Sequence, residues 1–321
     1  MKKSHDYYMK KAYQLAKKGL GLVSPNPCVG AILVDKEGNI ISMGYHKYFG
    51  GPHAEVEALR NLDRKKLKDA TLYVTLEPCC HYGKTPPCTE LIVNKGIRKV
   101  VVGVEDKNPL VMGNGIRRLR EAGVDVVVGV MREKLEEFYR PFFKYITLKQ
   151  PYITLKVAQS FDGKNSVKEG SRYLVSEKTL KYVHKLRFYS DAIMVGINTI
   201  LNDNPRLDIR YGRKKPLLKI VLDTQGKIPG DSNIFRTEGK VIIYTANEKK
   251  KKECDNEEIV YVSKNGEYCK IEEVLYDLGK RGIQNLLVEG GGTLSYELIK
   301  NRLVDKLILV ISPYIIGGKD Y

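Results

Sequence analysis

Five short apolar runs follow one another in the first part of the chain: VGAILV (29–34), IISMGY (40–45), TLYVTL (71–76), RKVVVGV (98–104) and VDVVVGV (124–130). Each has strand length, and several carry almost no polar residue, as strands buried on both faces do. DKEGN (35–39) reads as a turn joining the first two. Helix-like stretches at 5–18, 53–62, 89–96 and 115–123 separate the others, the third ending at Gly96. Strands and helices alternating in this way predict an α/β sheet covered on both faces. Residues 131–151 predict a longer helix that stops at Pro151 and leads to a second unit. There the alternation resumes: a strand and turn at 151–163, a helix at 176–189, strands at 191–196, 216–223, 240–245 and 258–263, and a helix at 271–281, after which NLLVEGGGTLSYELI (285–299) and DKLILVISPYIIGG (305–318) close the chain. No internal repeat is visible. The halves are therefore different modules, and the boundary is set at 147/148.

Hydrophobic residues make up 42% and charged residues 29% of the 321, which suits a globular enzyme or binding protein. No apolar run approaches the roughly 18 residues a membrane span needs. The N-terminus, MKKSHDYYMKKAYQLAKK, has lysines without an apolar core and reads as an amphipathic helix, not an export signal. Four of the six cysteines fall within the first 88 residues. Clustered cysteines without an export signal point to a metal or to catalysis in a reducing cytoplasm. The net charge of +17 suits a nucleic-acid backbone, small phosphorylated substrates, or mere solubility. Charge alone does not choose among them.

LEPCCHYGKTPPC (76–88) brings Cys79, Cys80, His81 and Cys88 together, and GPHAEVEAL (51–59) precedes it with His53 and Glu55 at the start of a helix. The pattern H-x-E, P-C, then a further cysteine matches the zinc nucleobase-deaminase arrangement. Two thiolates and a neutral imidazole balance Zn²⁺ and leave a fourth position for water, whose pKa the metal lowers to about 7. Glu55 would then carry protons as the catalytic residue. Cys79, directly after Glu77-Pro78, takes the first thiolate position. Cys88, at a helix N-terminus, takes the second, where the dipole favours its anion. Cys80 and His81 would face the cavity or pack beside it. The competing reading is a structural zinc site with His53, Cys79, Cys88 and His81 as four ligands; it leaves Glu55 without a task.

SPNPCVGAILV (24–34), PHAEVEAL, LEPCCHYGKTPPC and NPLVMGNGIRRLREAGVDV (108–126) resemble the deaminase half of the bifunctional riboflavin-biosynthesis deaminase/reductase family. Eight residues between the cysteines fit that branch better than the two usual in other zinc deaminases. The family commonly has serine where Cys80 stands. The resemblance implies a cytidine-deaminase-like three-layer α/β/α domain over 1–147, with Asn26, His46, His81 and Lys84 holding a small phosphorylated pyrimidine.

TLKVAQSFDGK (154–164), GSRYLVSE (170–177), DAIMVGINTILNDNPRLDIR (191–210), VLDTQGKIP (221–229) and VEGGGTL (288–294) occur in order and resemble the family's reductase half. That implies a dihydrofolate-reductase-like α/β domain over 148–321 using NADPH. The glycine-rich turn alone is a weak phosphate signal and does not match a Rossmann fingerprint. By resemblance, Ala158, Tyr173, Thr199, Asp203 and Thr224 line the cofactor, and Gly291, Gly292, Thr293, Leu294 and Ser295 meet its phosphates. Lys156, Ser171, Arg187, Leu207, Arg210 and Glu289 hold the substrate, with Glu289 also proposed as proton donor. The family shows tryptophan where Tyr173 stands. It also continues for a few dozen residues beyond SPYIIGGKDY, so an open sheet edge beside the cofactor site is expected. The implied protein is a cytoplasmic homo-oligomer that binds no membrane and no nucleic acid. An RNA-editing deaminase and a non-catalytic zinc-stabilised binding protein are the rival readings.

Overall fold

The computed structural model describes residues 3–62, 67, 69–83, 86–164 and 176–317. The chain divides into two compact units, Met1–Lys149 and Gln150–Tyr321. The first unit runs α1 (His5–Ala16), β1 (Gly30–Val34), β2 (Ile40–Tyr45), α2 (Ala54–Leu59), β3 (Thr71–Leu76), α3 (Cys88–Asn94), β4 (Lys99–Val104), α4 (Asn114–Glu121), β5 (Asp125–Val128) and α5 (Arg132–Leu148). The sheet order is β2-β1-β3-β4-β5. β1 is antiparallel to both β2 and β3, while β3, β4 and β5 run parallel.

Side-chain alternation along β1 builds the layers. Ala31 and Leu33 join Leu72, Val100 and Val102 under α2, α3 and α4. Ile32 and Val34 join Tyr73, Val101 and Val104 under α1 and α5, where Tyr8, Met9, Leu135 and Tyr139 pack. The result is a three-layer α/β/α unit with both sheet faces covered, as the apolar runs predict.

Two glycines set how closely helices approach the site. A Cβ on Gly44 in β2 would lie 2.3 Å from the Ala54 carbonyl oxygen, so only glycine lets α2 sit where it does. A Cβ on Gly115 in α4 would lie 2.2 Å from the Pro78 carbonyl oxygen, which seats α4 against the cysteine loop.

The second unit runs β6 (Tyr152–Gln159), α6 (Glu177–Tyr189), β7 (Ala192–Gly196), α7 (Ile197–Asp203), β8 (Leu218–Leu222), β9 (Val241–Thr245), β10 (Glu257–Tyr261), β11 (Lys264–Asn265), β12 (Tyr268–Cys269), α8 (Ile271–Lys280), β13 (Asn285–Val288), α9 (Gly292–Lys300) and β14 (Lys306–Ile311). Its seven-stranded sheet has the order β10-β9-β8-β7-β13-β6-β14, every neighbouring pair parallel. β11 and β12 form a separate antiparallel hairpin. Val274, Leu275 and Leu278 of α8 and Leu298 of α9 pack on Met194, Ile220, Ile242 and Leu286.

Two elements escape a reading by pattern. α7 has seven residues rich in Asn, Thr and Asp, all indifferent helix formers, and the β11–β12 hairpin is only two residues wide. α5 is shorter than 131–151 and continues through Pro141. Among the described residues, no helix is long and apolar enough to cross a membrane.

Candidate active sites

His53 is the N-cap residue of α2, yet its side chain makes no capping bond. Its Nδ1 instead lies 3.5 Å from Cys79 Sγ and 3.3 Å from Cys88 Sγ. Cys79 follows β3 through Glu77 and Pro78, and Cys88 opens α3, so strand end and helix start deliver the two sulfurs to one point. The three ligand atoms lie within 4.8 Å of one another, the one such group among the described residues. His81 is outside it, so the four-ligand structural site is not assembled. Tetrahedral arms of about 2.3 Å to sulfur and about 2.1 Å to nitrogen give N–S edges of roughly 3.5 Å, and the observed spacing fits a zinc ion.

Of the two sulfurs, Cys79 has the surroundings that favour the thiolate more strongly. Its sulfur takes bonds from Cys88, from His53 and from the Cys88 backbone N–H at 3.3 Å, which hold its pKa down to about 4. Cys88 keeps its proton, because it donates to Cys79 and is buried.

The cluster opens into a cavity of about 410 Å³. Glu55 lines it from the first turn of α2 and is 3% exposed; burial pushes its carboxyl up to about 7. His46 donates from Nδ1 to the Pro52 carbonyl at 2.9 Å, and its Nε2 then accepts from the Asn26 amide at 3.1 Å. Burial lowers the His46 pKa, which keeps the ring neutral and able to accept. Asn26, His46 and His81 all line the cavity, and His81 Nδ1 is a buried atom with no hydrogen-bond partner among the described residues. Lys84 lies outside the described residues.

Cys80 packs beside the cavity, one of the two placements expected for it. Neighbouring residues in an extended loop point opposite ways, and the Cys80 thiol turns from the cavity to donate to the Leu110 carbonyl at 3.6 Å. A change from serine there touches packing, not a cavity contact.

Pattern reading missed Glu77. It is buried, and its carboxylate accepts backbone N–H groups of Asp106 (3.1 Å), Gly113 (3.0 Å) and Ile116 (3.1 Å), tying the cysteine loop to the start of α4. Its place directly before Pro78-Cys79 was the available signal. Asp106 and Asn108 also line the cavity, and burial raises the Asp106 carboxyl to about 6. Asn108 opens the segment 108–126 quoted for the resemblance but was not singled out, and nothing in the sequence marks Asp106.

The second unit has a cavity of about 330 Å³ at the C-terminal ends of β7, β8 and β13, the usual ligand crevice of a parallel sheet. Thr199, Thr224, Gly291, Gly292, Thr293 and Leu294 line it, with Asn198, Asn202, Tyr268 and Cys269, which sequence reasoning had not singled out. Gly291 is the N-cap of α9 without a side-chain cap, so first-turn amides are available to a pyrophosphate. The donor set fits a dinucleotide. Ala158, Asp203 and Ser295 are not in the lining, and the Ser295 hydroxyl donates to the Gly291 carbonyl at 3.0 Å. Tyr173 and Ser171 lie outside the described residues.

β14 is an edge strand with Leu307, Leu309 and Ile311 about half exposed. The cavity takes no lining residue from β6 or β14, so the open edge is not beside it.

A buried charge cluster stands at the end of β13. Arg187 grips Glu289 with Nε at 2.8 Å and a second nitrogen at 3.1 Å, donates to the Asp208 carbonyl at 2.9 Å, and Lys156 lies 3.5 Å from the same carboxylate. Burial would raise the Glu289 pKa, but Arg187 and Lys156 outweigh it and hold it near about 2. A carboxylate this firmly ionised does not donate a proton, which corrects the expectation for Glu289. Leu207 is buried in a left-handed conformation (φ 50°), leaving only its backbone for a ligand. Arg210 is exposed and pairs with Asp208 at 3.3 Å.

Replacing Glu289 with glutamine is expected to destabilise the second unit by about 3–5 kcal/mol, since two buried cations lose their counter-charge. The wild-type pair contributes stability above about pH 4.5 that is lost as pH falls toward about 2, because the folded pKa is the lower one. Thermal melts of the whole chain between pH 7 and pH 3 should show that acid-side slope flatten in Glu289→Gln. An unchanged slope would mean the pair carries no such energy.

A zinc-dependent deaminase unit joined to a dinucleotide-dependent reductase unit is the class that these two sites define. The comparisons agree. Residues 2–104 match the cytidine and deoxycytidylate deaminase zinc-binding region, and residues 151–321 match the RibD C-terminal domain. The riboflavin biosynthesis protein RibD of Aquifex aeolicus is 42% identical over 97% of this chain and 87% of its own. That of Escherichia coli is 35% identical over 98% and 89%. The Thermotoga maritima diaminohydroxyphosphoribosylaminopyrimidine deaminase/5-amino-6-(5-phosphoribosylamino)uracil reductase superposes with a TM-score of 0.88 at 39% identity, over 98% of this chain and 88% of that one. The chain belongs to the RibD family of riboflavin biosynthesis. It is a bifunctional deaminase and reductase, with Zn²⁺ and NADPH as cofactors. Neither rival reading accounts for the reductase half.

Proposed function

We propose that the first unit deaminates 2,5-diamino-6-(5-phosphoribosylamino)pyrimidin-4(3H)-one and that the second reduces the ribosyl group of the product to a ribityl chain. The observation that carries the first step is Glu55 buried in the same cavity as the 3.3–3.5 Å cluster of His53, Cys79 and Cys88. Zinc, held by those three side chains, supplies the charge that lets water ionise near neutral pH. Glu55 would take a proton from the attacking water and give it to the ring nitrogen, then take the proton of the new hydroxyl and give it to the departing amine, so water and an amine become a carbonyl and ammonia. Asn26, anchored through His46, presents its amide to a ring edge, and His81 offers its unpartnered nitrogen.

In the second unit NADPH supplies a hydride. The α9 N-terminus and Thr224 hold the dinucleotide, while Lys156, Arg187 and Glu289 form a rigid charged wall for the sugar end of the substrate. Metal-ligand thiols stay functional only when reduced, which supports a cytoplasmic location. The family resemblance is what supports a homo-oligomer, and light scattering of the purified chain tests it.

The direct test incubates zinc-loaded protein with the diamino substrate, with and without NADPH, and weighs the products. A gain of about one mass unit reports amine replaced by carbonyl, and a further gain of about two reports reduction. Unchanged substrate mass in both arms would overturn the reading.

A further inference from the structure

We propose that Lys149 recognises the phosphate of the deaminase substrate at the mouth of the first cavity; this rests on the substrate class proposed above. Phe142, Tyr145, Ile146 and Lys149 all line that cavity. Their spacing of three, four and seven puts them on one face of α5 and its cap, so a single helical stripe forms one wall. Phe142 is buried and Lys149 is exposed, so the wall runs from interior to solvent. Seven residues of helix span about 10 Å, the reach of a sugar and a phosphate beyond a ring.

Charge gives the wall a direction. Glu55, Glu77 and Asp106 line the cavity around the metal cluster, whereas Lys149 is the one lysine or arginine among its described lining residues. A phosphate placed inward meets carboxylates, and one placed outward meets an ammonium group. The helix end alone would repel an anion, since its last carbonyls point that way. Lys149 reverses that sign.

The backbone supplies a second, independent observation. Lys149 caps α5 in the left-handed conformation, φ 55° and ψ 33°, with its N–H on the Tyr145 carbonyl at 2.9 Å. Glycine is the ordinary residue at such a cap, and a lysine there is strained. Its Nζ stands 5.2 Å from the centre of the Tyr145 ring, a cation–π contact that keeps the charge over the wall. A side chain retained against strain and held at a cavity rim by an aromatic ring is placed to meet a ligand.

The test compares Lys149→Gly, Lys149→Gln and Lys149→Arg with wild type, using the phosphorylated pyrimidine, its dephosphorylated nucleoside, and ribose 5-phosphate as a probe of binding alone. The preference in kcat/KM for the phosphorylated form should fall about tenfold in the Gly and Gln variants and be kept in Arg. Ribose 5-phosphate, titrated by calorimetry, should bind the Gly and Gln variants correspondingly more weakly. Because Lys149→Gly relieves the left-handed strain, its melting temperature should not drop, which separates recognition from folding. Unaltered preference and unaltered ribose 5-phosphate affinity would overturn the proposal. If wild type failed to deaminate either pyrimidine, the functional reading would fail, and the ribose 5-phosphate titration would still decide the role of Lys149.

Discussion

Glu55→Gln is expected to cut ammonia release by a factor of about 10²–10⁴, the range that a positioned proton carrier contributes, while zinc content and NADPH-dependent reduction stay at wild-type levels. The amide keeps the size and polarity of the side chain but exchanges no proton. It also keeps the volume of a side chain that is only 3% exposed. The contrast with the non-catalytic reading is direct: a protein that used zinc only for stability would lose nothing with this change. Ammonia assay and metal analysis of the same sample separate the two. A variant that kept most of its activity would remove Glu55 from the chemistry and with it the sense of the H-A-E sequence.

Loss of a zinc ligand should be the larger effect. Cys79→Ser is expected to abolish detectable deamination and to weaken zinc binding by more than the 10–100-fold that outer partners of a metal site command. Chelation of wild type should do the same and be reversed by added zinc. Reduction should persist in both cases, because the second unit has its own sheet and core. The first unit should remain folded without metal, unlike a zinc finger. It has two apolar clusters on the faces of a five-stranded sheet, so the ion is not its only source of cohesion. Circular dichroism of the apo form checks this. A chelated protein still releasing ammonia would sink the mechanism.

The candidate site was legible to different depths. His53, Glu55, Cys79 and Cys88 carry chemistry that few other residue types can supply, and they are read from type and spacing. Glu77 was not. A carboxylate that accepts three backbone N–H groups has the same sequence signature as any glutamate, and its partners lie 29 to 39 positions away. Cys80 was legible only as facing the cavity or packing beside it; backbone direction decides for packing and sends its thiol to Leu110. Glu289 was placed in one site with Arg187 and Lys156, but their close pairing joins residues more than a hundred positions apart and shows only in the fold.

Local patterns determined which segments become strands and helices, that both faces of the first sheet are covered, and that imidazole and thiols would meet around a metal. Those properties depend on residue type and on periods of two or about four, and both are visible over short windows. Strand order, the buried pairing of Glu289, the direction of Cys80 and the helical wall that ends at Lys149 were decided only in three dimensions. Each depends on which remote backbone or charge comes within a few ångströms, and burial then sets whether a proton stays or leaves.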